Sequence, residues 1–131
     1  MRWGWRGAVR KFDPEKDLDY RTLPGSPYDQ DRKALDEAFR RTGVPRSEFE
    51  VTRWGKDQYG KSHPTEWSVR GGLNKGAEVN IDDPGLAASQ LGPKVPHIGY
   101  QTAGKRRRTG SLSGHILVQR VHVARGRASE G

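Results

Sequence analysis

One stretch with helical periodicity, DQDRKALDEAFRRTG at residues 29–43, is followed by segments that alternate at the period of a strand. That change of period confines the chain to a helix followed by a sheet. In the helical stretch Leu35, Ala38 and Phe39 make an i, i+3, i+4 apolar stripe, and Asp29 or Asp31 can cap its start. Arg40 and Arg41 suit the last turn, where cations meet the negative end of the helix dipole, and Gly43 with Pro45 supplies the stop. Thereafter EFEVTRW places Phe49 and Val51 on one face, TEWSV places Trp67 and Val69, and AEVNID places Ala77, Val79 and Ile81 against Glu78 and Asn80. Two more strands, at about residues 95–102 and 114–123, flank the loop AGKRRRTGSLSG. No helical segment separates these strands, which argues against βαβ units. The expected architecture is α+β, with an N-terminal helix packed on a four- to five-stranded, mostly antiparallel sheet. Residues 1–28, ending in LPGSPY, read as an arm or linker, and residues 29–131 as a single domain.

The core must be small, because only 31% of the 131 residues are hydrophobic and 17 are Gly. The net charge of +8 is concentrated at the C-terminal end: residues 1–101 hold 17 basic and 15 acidic side chains, residues 102–131 hold 7 and 1. Such a concentration favours a polyanionic partner, nucleic acid above all, with a solvated face or basic tail as the alternative. With no cysteine, disulfides, thiolate metal sites and a cysteine nucleophile are excluded. No run approaches the roughly 20 apolar residues of a membrane span, and MRWGWRGAVRKF lacks the apolar stretch of a signal peptide, so any export signal is expected on another segment.

The segment PHIGYQTAGKRRRTGSLSGHILV at residues 96–118 carries most of the candidate chemistry. Its GYQTAGKR fits the spacing of a phosphate loop, but Arg106 stands where a magnesium-binding Ser or Thr belongs. Metal-free RNA cleavage needs a base for the 2′-OH, an acid for the 5′-oxygen and cations for the phosphorane-like transition state. Two histidines and a basic loop supply those types: His97 and His115 for proton exchange, Lys105 for developing charge, and Arg106, Arg107, Arg108 and Thr109 for the backbone. Tyr100 and Gln101 are candidates to stack on a base or orient the phosphate. Strand geometry qualifies this picture, because both histidines sit near the starts of their strands, and an antiparallel hairpin then puts them toward opposite ends. His122, seven residues from His115 in the same expected strand, falls on the other face. In YGKSHPTEW, Lys61 can contact phosphate and Glu66 can act as a base or orient a histidine, while Ser62 and His63 read as loop residues. Asp82 and Asp83 in DDPG read as a turn or as ligands in a metal-dependent DNase.

The runs GKDQYGKSHPTEW, GAEVNID and GPKVPHIGYQTAGKRRRTGSLSGHIL, in that order, resemble the polymorphic toxin type 47 domain of large bacterial secreted toxins. The resemblance implies a ribonuclease-like fold akin to the barnase, EndoU, colicin and RelE group. It points to His97, Gln101, Lys105, Arg106 and His115 in the last block, and to Lys61 and Glu66 in the first. The three arginines after Lys105 depart from the glycine-rich loop expected there. The expectation is therefore an endoribonuclease toxin cleaving RNA to a 2′,3′-cyclic phosphate without metal or other cofactor, as a monomeric module of a larger secreted protein. It would act in the target-cell cytoplasm and be neutralised by an acidic immunity protein. The alternatives are a non-catalytic RNA-binding module and a metal-dependent DNase.

Overall fold

The computed structural model describes residues 12–84, 93–104 and 112–125. Six strands and one α-helix follow one another as β1 (Leu18–Asp19), α1 (Pro27–Thr42), β2 (Glu50–Lys56), β3 (Ser62–Ser68), β4 (Glu78–Asp82), β5 (His97–Gln101) and β6 (Ser113–Leu117), with a short 3₁₀ turn at Arg46–Glu48 after the helix. They form a single sheet in the order β1-β6-β5-β4-β3-β2. The four pairings from β2 to β6 are antiparallel, but β1 joins β6 in parallel. The sheet is therefore mixed and six-stranded, not four- to five-stranded and mostly antiparallel, and the helix follows a strand where an N-terminal helix was expected. The reason is physical: a two-residue strand has no period to read, and its pairing partner lies about a hundred residues along the chain.

Ser26, not Asp29 or Asp31, caps α1. Its hydroxyl accepts the Asp29 N–H at 3.1 Å, and the Asp29 carboxylate accepts the Ser26 N–H at 3.3 Å. Pro27 at the first position needs no partner for a missing N–H. Gly43, in the left-handed region at φ 73°, ends the helix. The helix lays Ala34, Ala38 and Phe39 on one face of the sheet, against Trp67, Val79, Ile81, Ile98, Tyr100 and Ile116. Each large aliphatic side chain so buried contributes about 1.5–3 kcal/mol.

Alternation sends the residues between those core positions to the opposite face. Glu66 and Ser68 of β3, Glu78, Asn80 and Asp82 of β4, His97, Gly99 and Gln101 of β5, and Ser113 and His115 of β6 share it. The helix packs on the apolar side, so among the described residues no helix covers this polar face. A glycine secures its β6 end. A Cβ at Gly114 would lie 2.1 Å from the Lys16 carbonyl oxygen, so only glycine lets residues 13–17 close against β6. That approach is what brings Asp17 to His115.

Candidate active site

His97 and His115 meet on the polar face, their ring centroids 5.2 Å apart and their planes at 84°. Pairing puts Gly99, not His97, opposite His115, so the two histidines are diagonal neighbours two residues out of register. This corrects the expectation that hairpin geometry separates them. The strands are only five residues long, and His115 stands at the middle of β6 instead of its start. Gly99 presents no side chain beside the rings, and its space is taken by Asn80, whose Oδ1 would lie 2.5 Å from a Cβ there.

Each imidazole is backed by a carboxylate. Asp17 is almost fully buried. Its Oδ1 accepts the His115 backbone N–H at 2.8 Å and lies 3.6 Å from the ring Nδ1. Both ring nitrogens of His97 face acceptors, Nδ1 donating to the Val95 carbonyl at 2.8 Å and Nε2 turned to Asp82 Oδ2 at 3.4 Å. The side chain of His115 is 24% exposed and that of His97 6%, so His115 is the ring more open to solvent.

A residue that sequence reasoning passed over ties the other acids of this face together. Arg125 donates from Nε and Nη2 to Asp82 Oδ1 and Oδ2 at 2.7 and 2.8 Å, and from Nη1 to Glu66 Oε2 at 2.6 Å. Glu78 Oε2 lies 3.6 Å from the same Nη1. Burial alone would push the Asp82 carboxyl up, but the hydrogen bonds from His97 and Arg125 outweigh it and hold Asp82 well below the usual carboxylate range. Burial likewise works against the Arg125 charge, and its bonds to Asp82 and Glu66 reverse that effect. The guanidinium arrives because the segment up to Arg125 inserts where β3 and β4 part. Their pairing stops at Glu66 and Asn80, and the Arg125 N–H then takes the Ile81 carbonyl at 2.9 Å. Nothing in RVHVARGR distinguishes Arg125 from the arginines around it.

The remaining predicted residues are placed as follows. Glu66 lies on the polar face, its Oε1 accepting the Thr52 hydroxyl at 2.7 Å; it meets Arg125, not a histidine. Gln101 shares the face, and its amide donates to the Gly76 carbonyl at 2.8 Å. Tyr100 falls on the other face, in the core beneath α1, where its hydroxyl donates to the Lys16 carbonyl at 2.5 Å and accepts from Arg41. It is not brought to the histidines. Lys61 is exposed in the turn between β2 and β3, where its backbone N–H donates to Asp57. Lys105, Arg106, Arg107, Arg108 and Thr109 lie outside the described residues. Asp82 carries an arginine and a histidine instead of presenting an open ligand, and among the described residues no group of three or more His, Asp or Glu is arranged to hold a metal ion.

The family model for bacterial toxin 47 matches residues 8–125, a span that takes in both histidines, their carboxylates and Arg125. The chain belongs to the bacterial toxin 47 family. No curated protein and no solved structure matches it. Among the described residues of this toxin domain no helix is long and apolar enough to cross a membrane.

The other two histidines of the toxin domain form a separate cluster at the N-terminal end of α1. His122 lies beyond the end of β6, which stops at Leu117, so the strand that was to set its face against His115 does not reach it. His63 Nε2 meets Asp57 Oδ2 at 2.8 Å, His122 Nδ1 meets Asp31 Oδ2 at 2.6 Å, and the two rings stand 5.5 Å apart. Bonds from the Lys61 N–H and from His63 lower the Asp57 carboxyl to about 2. The hydrogen bond to Asp31 raises His122 above its ordinary value. A group whose folded pKa is raised stabilises fully below its unfolded pKa of about 6.5, and that stability is lost as pH rises through the folded value. Thermal unfolding from about pH 6 to about pH 9 is therefore expected to show a Tm decline in the parent that is shallower in His122→Gln.

Proposed function

We propose that this toxin domain is a metal-independent endoribonuclease, which cleaves RNA by transesterification to a 2′,3′-cyclic phosphate. The observation that carries the reading is the pair of carboxylate-backed imidazoles 5.2 Å apart on a sheet face free of the helix. Transesterification needs one group to take the 2′-OH proton and another to return a proton to the 5′-oxygen, and histidine serves both near neutral pH. His115, the more exposed ring, meets the scissile nucleotide, and His97 beside it is the second proton-exchanging group. Asp17 and Asp82 orient the two rings. Arg125 offsets part of the negative charge that Asp82, Glu66 and Glu78 place on the face. The basic residues Lys105 to Arg108 supply cations toward the phosphates, consistent with the net +8 of the chain.

Such an enzyme would act in the cytoplasm of a target cell as a module of a larger secreted toxin, and the producing cell would carry a cognate immunity protein. An acidic surface on that protein would complement the basic one here. Incubating the purified domain with total RNA in EDTA is the direct test. Fragments ending in 2′,3′-cyclic phosphate are expected. Intact RNA in EDTA with cleavage restored by magnesium, or nicking of plasmid DNA in place of RNA, would overturn the reading.

A further inference from the structure

The polar face does not end at Glu66. It continues onto the edge strand β2, which among the described residues has only β3 beside it in the sheet order. Gly55 fixes which way its neighbours point. A Cβ on Gly55 would lie 2.7 Å from the Ala124 carbonyl oxygen and 3.0 Å from Thr65 Cγ2, on the apolar side. Trp54 and Lys56, one residue to either side, therefore project on the polar side, opposite Pro64 and Ser62 in the row that leads to Glu66. Arg53 reaches the same row, with Nε 3.9 Å from Glu66 Oε2. A β-bulge around Thr52 and Arg53 turns the chain so that Arg53 and Trp54 can both face this way.

Scattered exposed apolar residues are ordinary on a protein surface. Trp54 differs in its setting. Its indole is 53% exposed on an edge strand, stands between Arg53 just before it and Lys56 two residues after it, and shares a face with the two paired histidines. A flat aromatic surface between cations is the means by which unpaired bases are held, the ring stacking on the base while the cations take the flanking phosphates. We infer that Trp54, with Arg53 and Lys56, forms a stacking subsite for an unpaired base of the RNA substrate. Three to four strand spacings of about 4.8 Å separate β2 from β5 and β6, so the base held there belongs to a nucleotide away from the scissile one. The inference rests on the ribonuclease reading, and it adds that the domain takes single-stranded RNA of more than one nucleotide.

The test measures binding of a single-stranded 2′-O-methyl RNA, which keeps bases and phosphates but lacks the attacking hydroxyl, to the full chain by fluorescence anisotropy. Trp54→Ala is expected to weaken binding about 5- to 100-fold, the effect of one lost base stack, and Trp54→Phe to recover most of it. Lys56→Gln should lower the slope of log affinity against log salt by about one. Tyr59→Ala removes a still more exposed aromatic that lines the His122 cavity on the other side, and should leave binding unchanged. Parent and Trp54→Ala binding alike, with the parent active on RNA, would overturn the subsite and leave the ribonuclease reading standing. A parent that neither binds nor cleaves RNA would remove both.

Discussion

His115→Ala is expected to lower the rate of RNA cleavage by about 10²–10⁴-fold, the contribution of one positioned general acid or base. The fold should survive, because the tie between β6 and residues 13–17 runs through the His115 backbone N–H and Asp17, which alanine keeps. His97→Ala should lose activity on the same scale with a larger drop in Tm, since its ring is nearly buried and lies against Asp82. The double variant should be little worse than either single one, because groups that act as a unit are not additive. Single-turnover cleavage of a labelled RNA, alongside thermal unfolding of the same samples, checks all three. Retained cleavage in a folded His115→Ala protein would contradict the two-histidine site.

Arg125→Ala should cost about 2–4 kcal/mol of stability at neutral pH, because it leaves the carboxylates of Asp82 and Glu66 without their guanidinium. The loss should shrink in acid. In the parent, Asp82 titrates below its unfolded pKa of about 3.9, so the stability it contributes is present above that pH and lost as pH falls through the lower folded value. Without Arg125 the carboxyl accepts a proton more readily, and the penalty on the variant eases as pH drops toward 4. Arg125→Lys should recover only part of the loss, since a point charge cannot bind Asp82 through two nitrogens while also reaching Glu66. Urea unfolding at pH 7 and at pH 4 measures the difference. A variant as stable as the parent at both would show that the guanidinium does not hold this face.

The legible parts of this molecule were those governed by local periodicity. The Leu35, Ala38, Phe39 stripe gave the helix, and alternation in AEVNID set Val79 and Ile81 inward and Glu78 and Asn80 outward. The same rule, applied to HIGYQ, puts Tyr100 with Ile98 in the core and His97 with Gln101 on the polar side, so Tyr100 was never placed to meet RNA. Less legible were features set by partners distant in sequence. The nearness of His97 and His115 depends on a register in which Gly99 faces His115, and pattern alone does not choose that register. Strand β1 is too short to carry a period, yet the segment before it delivers Asp17 to the site. Arg125 reaches Glu66 and Asp82 only because its own segment enters where the pairing of β3 and β4 stops.

The reaction itself is tested most directly by offering the parent protein, in EDTA, an RNA oligonucleotide and its fully 2′-O-methylated counterpart. Transesterification requires a free 2′-OH, so the RNA should be cut to 2′,3′-cyclic phosphate ends while the methylated strand stays intact. Cleavage of the methylated strand, or an RNA left whole until a divalent metal is added, would contradict the two-histidine mechanism.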